Sequence, residues 1–327
     1  MEAQVSTSTR KGHMPRISLA SRAQGPLIGL VLLCGFLAFA TDTFLSLRNI
    51  LNVLDQVTVL GVMAVGMTLV ILIGGIDLSV GSVLALSGMV MGYLANYHGW
   101  PFVVAIAAAL AVSAICGLAC GLMITRLRMP AFIATLAMMS IARGIASIIT
   151  DGEQIIGFPD WFSNLAITRN FGFLTVTVGA MVVITFIAWI ILEFRPAGRA
   201  LYAIGGGAEV ARLAGINVRS TTLWVYALCA LLAGFAGIIL SARLDSAQPS
   251  TGIGYELDTI AAVVIGGASL SGGVGSIGGT IIGVLIIGVL RNGLNLMGVS
   301  PFVQQVIIGL VIAIAVAADT LRRRRES

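Results

Sequence analysis

Few side chains in this sequence have the type and setting to do chemistry, and they are thinly spread. Asp77 lies in Gly74-Gly75-Ile76-Asp77-Leu78-Ser79-Val80-Gly81-Ser82, the one carboxylate with apolar sequence close on both sides. A carboxylate in such surroundings is costly, which makes it a candidate ligand for an ion or a solute. Equally, Asp77 or Ser79 can cap the helix that follows, by accepting hydrogen bonds from backbone N–H groups that lipid cannot satisfy. Arg143 falls inside another apolar run. Its long stem can snorkel to the nearer interface, or it can face an internal cavity and donate hydrogen bonds to a polyhydroxylated solute. A second Gly-Gly-x-x-Leu-Ser pattern, Gly266-Gly267-Ala268-Ser269-Leu270-Ser271, is followed by Gly272-Gly273. Together Asp77, Ser79, Ser82, Arg143, Ser269 and Ser271 are the candidate lining of a translocation pathway.

The chemistry this set excludes is as informative. There is no His-Glu-x-x-His, no Gly-x-Ser-x-Gly and no carboxylate pair within one apolar run, so no catalytic residues are expected. His13 and His98 are remote from the four cysteines, and no metal site is expected. Cys116 and Cys120, one helical turn apart, read as small packing residues, and disulfides are not expected. Lys11 is the only lysine and is followed by Gly12, so the phosphate-binding loop Gly-x-x-x-x-Gly-Lys-Ser/Thr cannot form. No cofactor is expected on this chain. Gly273-Val274-Gly275-Ser276-Ile277-Gly278 matches the dinucleotide fingerprint by letter but lacks the preceding strand that the fingerprint needs.

The elements that must position these residues are membrane helices. Hydrophobic residues make up 58% of the 327, and charged residues 10%, too little polar surface to cover a water-soluble fold. Apolar runs long enough to cross about 30 Å of hydrocarbon lie near 26–42, 56–74, 78–95, 101–124, 131–150, 172–193, 220–242, 276–294 and 301–319. A tenth, near 257–271, is short and broken by glycine. The expected architecture is an all-α polytopic membrane protein of about ten transmembrane helices, with discontinuous helices and two parallel pseudo-repeats marked by the two Gly-Gly-x-x-Leu-Ser breaks. The glycines have two readings: close helix packing alone, as in Gly117-xxx-Gly121 and Gly275-xxx-Gly279-xxx-Gly283, or the lining of a pathway. The expected division is a cytoplasmic tail over 1–25, a membrane domain over 26–321 and a basic cytoplasmic tail over 322–327.

Basic residues favour the cytoplasmic side. Ten crossings with the N-terminus inside place Arg10, Lys11, Arg16, Arg22, Arg126, Arg128, Arg195, Arg199, Arg212, Arg219 and Arg322 to Arg325 in the cytoplasm, against Arg48, Arg169, Arg243 and Arg291 outside. The net charge of +5 thereby reflects orientation and lipid headgroup contact, not nucleic acid binding. Residues 195–219 form a basic, helix-prone island between two apolar runs. With no phosphate loop of its own, and with Asp77 and Arg143 as the only intramembrane candidates for ion coupling, the chain needs an external motor, and this island is the surface to receive it.

Five ordered motifs carry a resemblance: Gly-Gly-Ile-Asp-Leu-Ser-Val-Gly-Ser at 74–82, Pro-Ala-Phe-Ile-Ala-Thr-Leu at 130–136 with Ala142-Arg143-Gly144, Gly-Arg-Ala-Leu-Tyr-Ala-Ile-Gly-Gly at 198–206, Ala-Arg-Leu-Ala-Gly-Ile at 211–216, and Val-Val-Ile-Gly-Gly-Ala-Ser-Leu-Ser-Gly-Gly at 263–273. From about Phe44 onward the chain resembles the permease subunits of bacterial ribose-, xylose- and arabinose-type ATP-binding-cassette importers. The resemblance implies a multi-pass inner-membrane permease that works by alternating access. Its implied partners are a cytoplasmic ATPase that holds ATP and Mg, a periplasmic or extracellular sugar-binding protein, and a second permease subunit, identical or homologous. It also implies ATPase coupling through Ala208, Glu209, Ala211, Arg212, Leu213, Gly215 and Ile216, with Gly198 and Arg199 leading in. Relatives carry Asn before this helix where this chain has Gly207, a substitution that costs about 1 kcal/mol at most. Two alternatives stay open: a branched-chain amino-acid permease of related architecture, and an ion-coupled carrier.

Overall fold

The computed structural model describes residues 19–170 and 172–326. The basic residues expected in the N-terminal tail up to Arg16, and the side chains of the tail at 322–327, lie outside what it describes. Ten of its helices correspond in order to the ten expected crossings: α1 (Leu19–Ala40), α2 (Leu47–Leu72), α3 (Val80–Gly92, continued by a π turn over Tyr93–Tyr97), α4 (Phe102–Thr125), α5 (Ala131–Ile148), α7 (Val176–Phe194), α10 (Val218–Leu244), α11 (Tyr255–Ile265), α12 (Ile277–Leu296) and α13 (Pro301–Glu326). Three short helices, α6 (Asp160–Ile167), α8 (Pro196–Gly206) and α9 (Ala208–Leu213), connect them. Among the described residues seven helices are long and apolar enough to cross a membrane, fewer than the ten expected. α11 has 11 residues, about 16 Å, too short to cross, and of α1 and α13 only Gln24–Ala40 and Pro301–Ile314 lie among the residues searched for such spans.

Lipid gives no hydrophobic drive for helices to associate, so contact depends on small residues and on buried polar pairs. A methyl group on Gly117 would lie 2.3 Å from the Tyr226 carbonyl oxygen, one on Gly121 2.8 Å from the Leu223 Cα, and one on Gly283 1.8 Å from the Ala262 oxygen. Glycine there lets α4 touch α10, and α12 touch α11, backbone to backbone. The helices α2 and α12 run antiparallel and are joined twice by polar contacts. Asn49 and Asn292 exchange two amide hydrogen bonds at 2.9 Å, and the Thr68 and Thr280 hydroxyls meet at 2.7 Å. Cys120 and Cys229 are buried and unpaired, as packing residues are.

One end of the bundle is closed by small structures. The strands β1 (Ile155–Ile156) and β4 (Ser246–Ala247) pair antiparallel, and β2 (Arg169–Asn170) pairs with β3 (Leu174–Thr175). Asp55 ties α2 to this end, accepting from Arg169 at 3.0 Å and from the Thr175 hydroxyl at 3.1 Å. Phe102, Phe158, Trp161 and Phe162 form an aromatic cluster beside it. The helices α8 and α9 lie at the opposite end.

Candidate functional site

The island at 195–219 folds as two short helices for local reasons. Arg195 precedes proline and is extended (φ −103°, ψ 151°), and Pro196 opens α8, where its missing N–H costs nothing. Gly198 has no side chain because one would lie 2.3 Å from the Leu192 oxygen, so α8 folds back on the last turn of α7. Leu201 and Ile204 are buried beneath it. After Gly207, α9 ends in a Schellman turn: Ile216 N–H donates to the Ala211 oxygen, Gly215 N–H donates to the Arg212 oxygen, and Gly215 takes the left-handed φ of +85°.

What α9 shows to the outside is mixed. Ala211 is buried, whereas Ala208, Glu209, Val210, Arg212 and Leu213 are exposed, Val210 at 72% and Leu213 at 74%. Arg199 is exposed on α8. Arg212 grips Glu209 by both forks, Nε at 3.0 Å and Nη2 at 2.5 Å, and this hydrogen-bonded guanidinium holds the Glu209 carboxyl below the usual carboxylate range. An exposed pair one turn apart adds little stability. It fixes the direction of two charges beside two exposed apolar side chains, Val210 and Leu213.

At its other end α8 reaches into the bundle. A methyl group on Gly205 would lie 1.9 Å from the Leu72 oxygen and 2.2 Å from the Gly273 nitrogen, and one on Gly272 would lie 2.8 Å from the Gly74 nitrogen. Gly273 N–H donates to the Leu72 oxygen at 2.9 Å, and the Tyr202 hydroxyl donates to the Gly275 oxygen at 2.9 Å. Both Gly-Gly breaks therefore touch each other and the C-terminal end of α8 at one three-way backbone junction. Tyr202 was legible in the sequence only as part of the island; its partner lies 73 residues away.

The two breaks are built alike. α2 closes with Gly75 N–H on the Val70 oxygen and Gly74 N–H on the Ile71 oxygen, and α11 closes with Ala268 N–H on Val263 and Gly267 N–H on Val264. In each, a polar side chain then accepts from the backbone two residues on: Asp77 Oδ1 from Ser79 N–H at 2.8 Å, and Ser269 Oγ from Ser271 N–H at 3.2 Å. The Ser79 hydroxyl also donates to Asp77 Oδ1, at 2.6 Å, and Ser79 makes no side-chain cap on α3. Asp77 is thus fully buried, with one oxygen holding the turn and Oδ2 without a hydrogen-bond partner among the described residues. Ser82 is buried one turn into α3, Ser269 is buried and Ser271 is exposed.

Arg143 makes its hydrogen bonds elsewhere: half-buried, it donates to the carbonyls of Pro249 and Thr251 and so clamps the loop before α11. Arg291 lies within α12, where it pairs with Asp258 of α11, itself 5% exposed. Asp77 is therefore not the only buried acid. The signal was available, since Arg291 lies within the apolar run 276–294 and Asp258 within 257–271.

A bundle of apolar helices whose two Gly-Gly breaks are joined to an exposed basic island is the architecture expected of a polytopic membrane transport protein. The chain belongs to the family whose model is described as "Branched-chain amino acid transport system / permease component", which matches residues 49–316 and so covers every residue of the site. It is 46% identical over 304 residues to the ribose import permease protein RbsC of Escherichia coli (strain K12), covering 92% of this chain and 94% of that one. It is 48% identical to RbsC of Bacillus subtilis (strain 168), covering 90% and 92%, and 38% identical to the fructose import permease protein FrcC of Rhizobium meliloti, covering 93% and 87%. No solved structure matches it.

Proposed function

We propose that this chain is the membrane permease of an ATP-binding-cassette importer and carries a monosaccharide, supplied by a binding protein outside, across a bacterial inner membrane. The similarity at 38 to 48% identity to ribose and fructose import permeases supports a sugar over the branched-chain amino acid of the family description. The observation that carries the mechanism is the junction of Gly205 with Leu72 and Gly273.

In this reading α8 and α9 lie in the cytoplasm and receive a separate ATPase on Val210, Leu213 and the Glu209–Arg212 pair. ATP and Mg stay on that partner, and this chain catalyses nothing. Two permeases, identical or homologous, face each other across the passage. When the paired ATPases close, α9 moves with them, and α8 is too tightly wedged at Gly205 to move alone. It carries the Leu72 end of α2 and the Gly273 end of the second break with it. Because packed backbone junctions shift between discrete arrangements, the two breaks change together and access switches sides. Lipid headgroups hold the remaining arginines at the membrane edge.

Reconstitution in vesicles tests this. Uptake of D-ribose requires ATP, the ATPase and the binding protein together; uptake by this chain alone, driven by a proton gradient, overturns it in favour of an ion-coupled carrier.

A further inference from the structure

A second polar site lies near the end opposite the island. Gln56, Val57 and Leu60 of α2, Tyr255 and Asp258 of α11, and Arg291 of α12 line a half-open cleft. Gln56 is nine residues into α2 and Arg291 five residues from the end of α12, so the cleft lies about 8 to 14 Å along these helices from that end. Gly288 forms its floor, packed so closely that a methyl group there would lie 2.1 Å from a Val57 methyl.

Its chemistry is unusual for this depth. The Asp258 side chain is 7% exposed, while Arg291, its ion-pair partner, remains 40% exposed. A guanidinium half open within an apolar span faces water or solute, since lipid contact would be expensive. Arg291 Nε is buried and without a hydrogen-bond partner among the described residues, and the Gln56 amide and Tyr255 hydroxyl line the same cleft. The cleft thus holds donors and acceptors around a charge pair that is already neutral. A zwitterion would have to break that pair. A neutral ring bearing several hydroxyls would not, because each hydroxyl both donates and accepts.

We propose that Gln56, Tyr255, Asp258 and Arg291 form a solute subsite within the permease, which takes one edge of a monosaccharide ring as it enters the passage. This rests on the sugar-importer reading. Asp258 accepts from ring hydroxyls, Arg291 and Gln56 donate to them, and Tyr255 does either. The cleft is shallow, so the solute is held by a few contacts and released when the helices shift, as conduction requires. Specificity is then checked twice, by the binding protein and again by this chain.

The test uses the whole importer in vesicles, with binding protein saturated by D-ribose or by a monosaccharide that lacks one hydroxyl and is also accepted by the binding protein. Tyr255→Phe and Gln56→Leu each remove one uncharged hydrogen-bonding group and leave the ion pair intact. Each is expected to lower D-ribose uptake about fivefold and to narrow its advantage over the other sugar, while stimulation of ATP hydrolysis by the loaded binding protein persists. Asp258→Asn is expected to act in the same direction more strongly; if that protein does not assemble, the two neutral variants decide. Unchanged uptake and unchanged preference in both overturn the subsite. A wild-type importer that takes up leucine and no monosaccharide overturns the importer reading instead.

Discussion

Gly205 is the residue on which the proposed mechanism turns, because its missing side chain is occupied by backbone atoms of two other segments. Backbone cannot rotate away as a side-chain tip can, so Gly205→Ala must push α8 off the junction. The expected cost is about 1–3 kcal/mol, the range for overpacking, together with loss of sugar uptake while the ATPase remains bound. Gly206→Ala is the control: no atom lies within 4 Å of the added methyl group, and both stability and uptake are expected to stay at wild-type levels. Thermal unfolding of the purified permease and vesicle uptake read the two outcomes. Neighbouring glycines with opposite demands are indistinguishable in Gly205-Gly206-Gly207 as written.

Among the elements, α9 offers a sharper comparison with its relatives. Gly207, where the resemblance leads one to expect Asn, has φ 165°, extended backbone open to any residue, and a Cβ there would meet only the Val210 side chain at 3.6 Å. Gly207→Asn is therefore accommodated. Its side chain can accept a hydrogen bond from a free N–H in the first turn of α9, and a gain of a few tenths of a kcal/mol is expected. The readout is the affinity of the ATPase for the permease, which should hold or rise; a fall would show that the bare turn itself is part of the contact. Gly215 is the contrary case, since its left-handed φ strains any side chain. The helices themselves were legible from apolar run lengths, including the short α11. The end structures β1 to β4 and α6 were not, because two-residue strands leave no periodicity to detect.

For the molecule as a whole, orientation is the first thing to establish. Ile156 is 62% exposed at one end and Leu213 74% exposed at the other. In intact cells a membrane-impermeant thiol reagent should label Ile156→Cys and should reach Leu213→Cys only after permeabilisation. Labelling of Leu213→Cys from outside would invert the molecule and remove the ATPase from the island.

The amino-acid sequence by itself determined that this is a helical membrane protein, where its helices break and which basic loop stands out between apolar runs. Those properties are local, because the length and polarity of each run set its cost in lipid. It also placed Asp77 and Ser79 together, two residues apart on one turn. Tertiary structure alone decided the rest: that Arg143 clamps a loop more than a hundred residues away, that Asp258 and Arg291 neutralise each other, and that Gly74, Gly205 and Gly273 meet. Each of these depends on which faces of separate helices are pressed together, and in lipid that choice is made by the shape of small residues and by polar pairing across the bundle. A pattern read along one chain segment at a time does not contain that pairing.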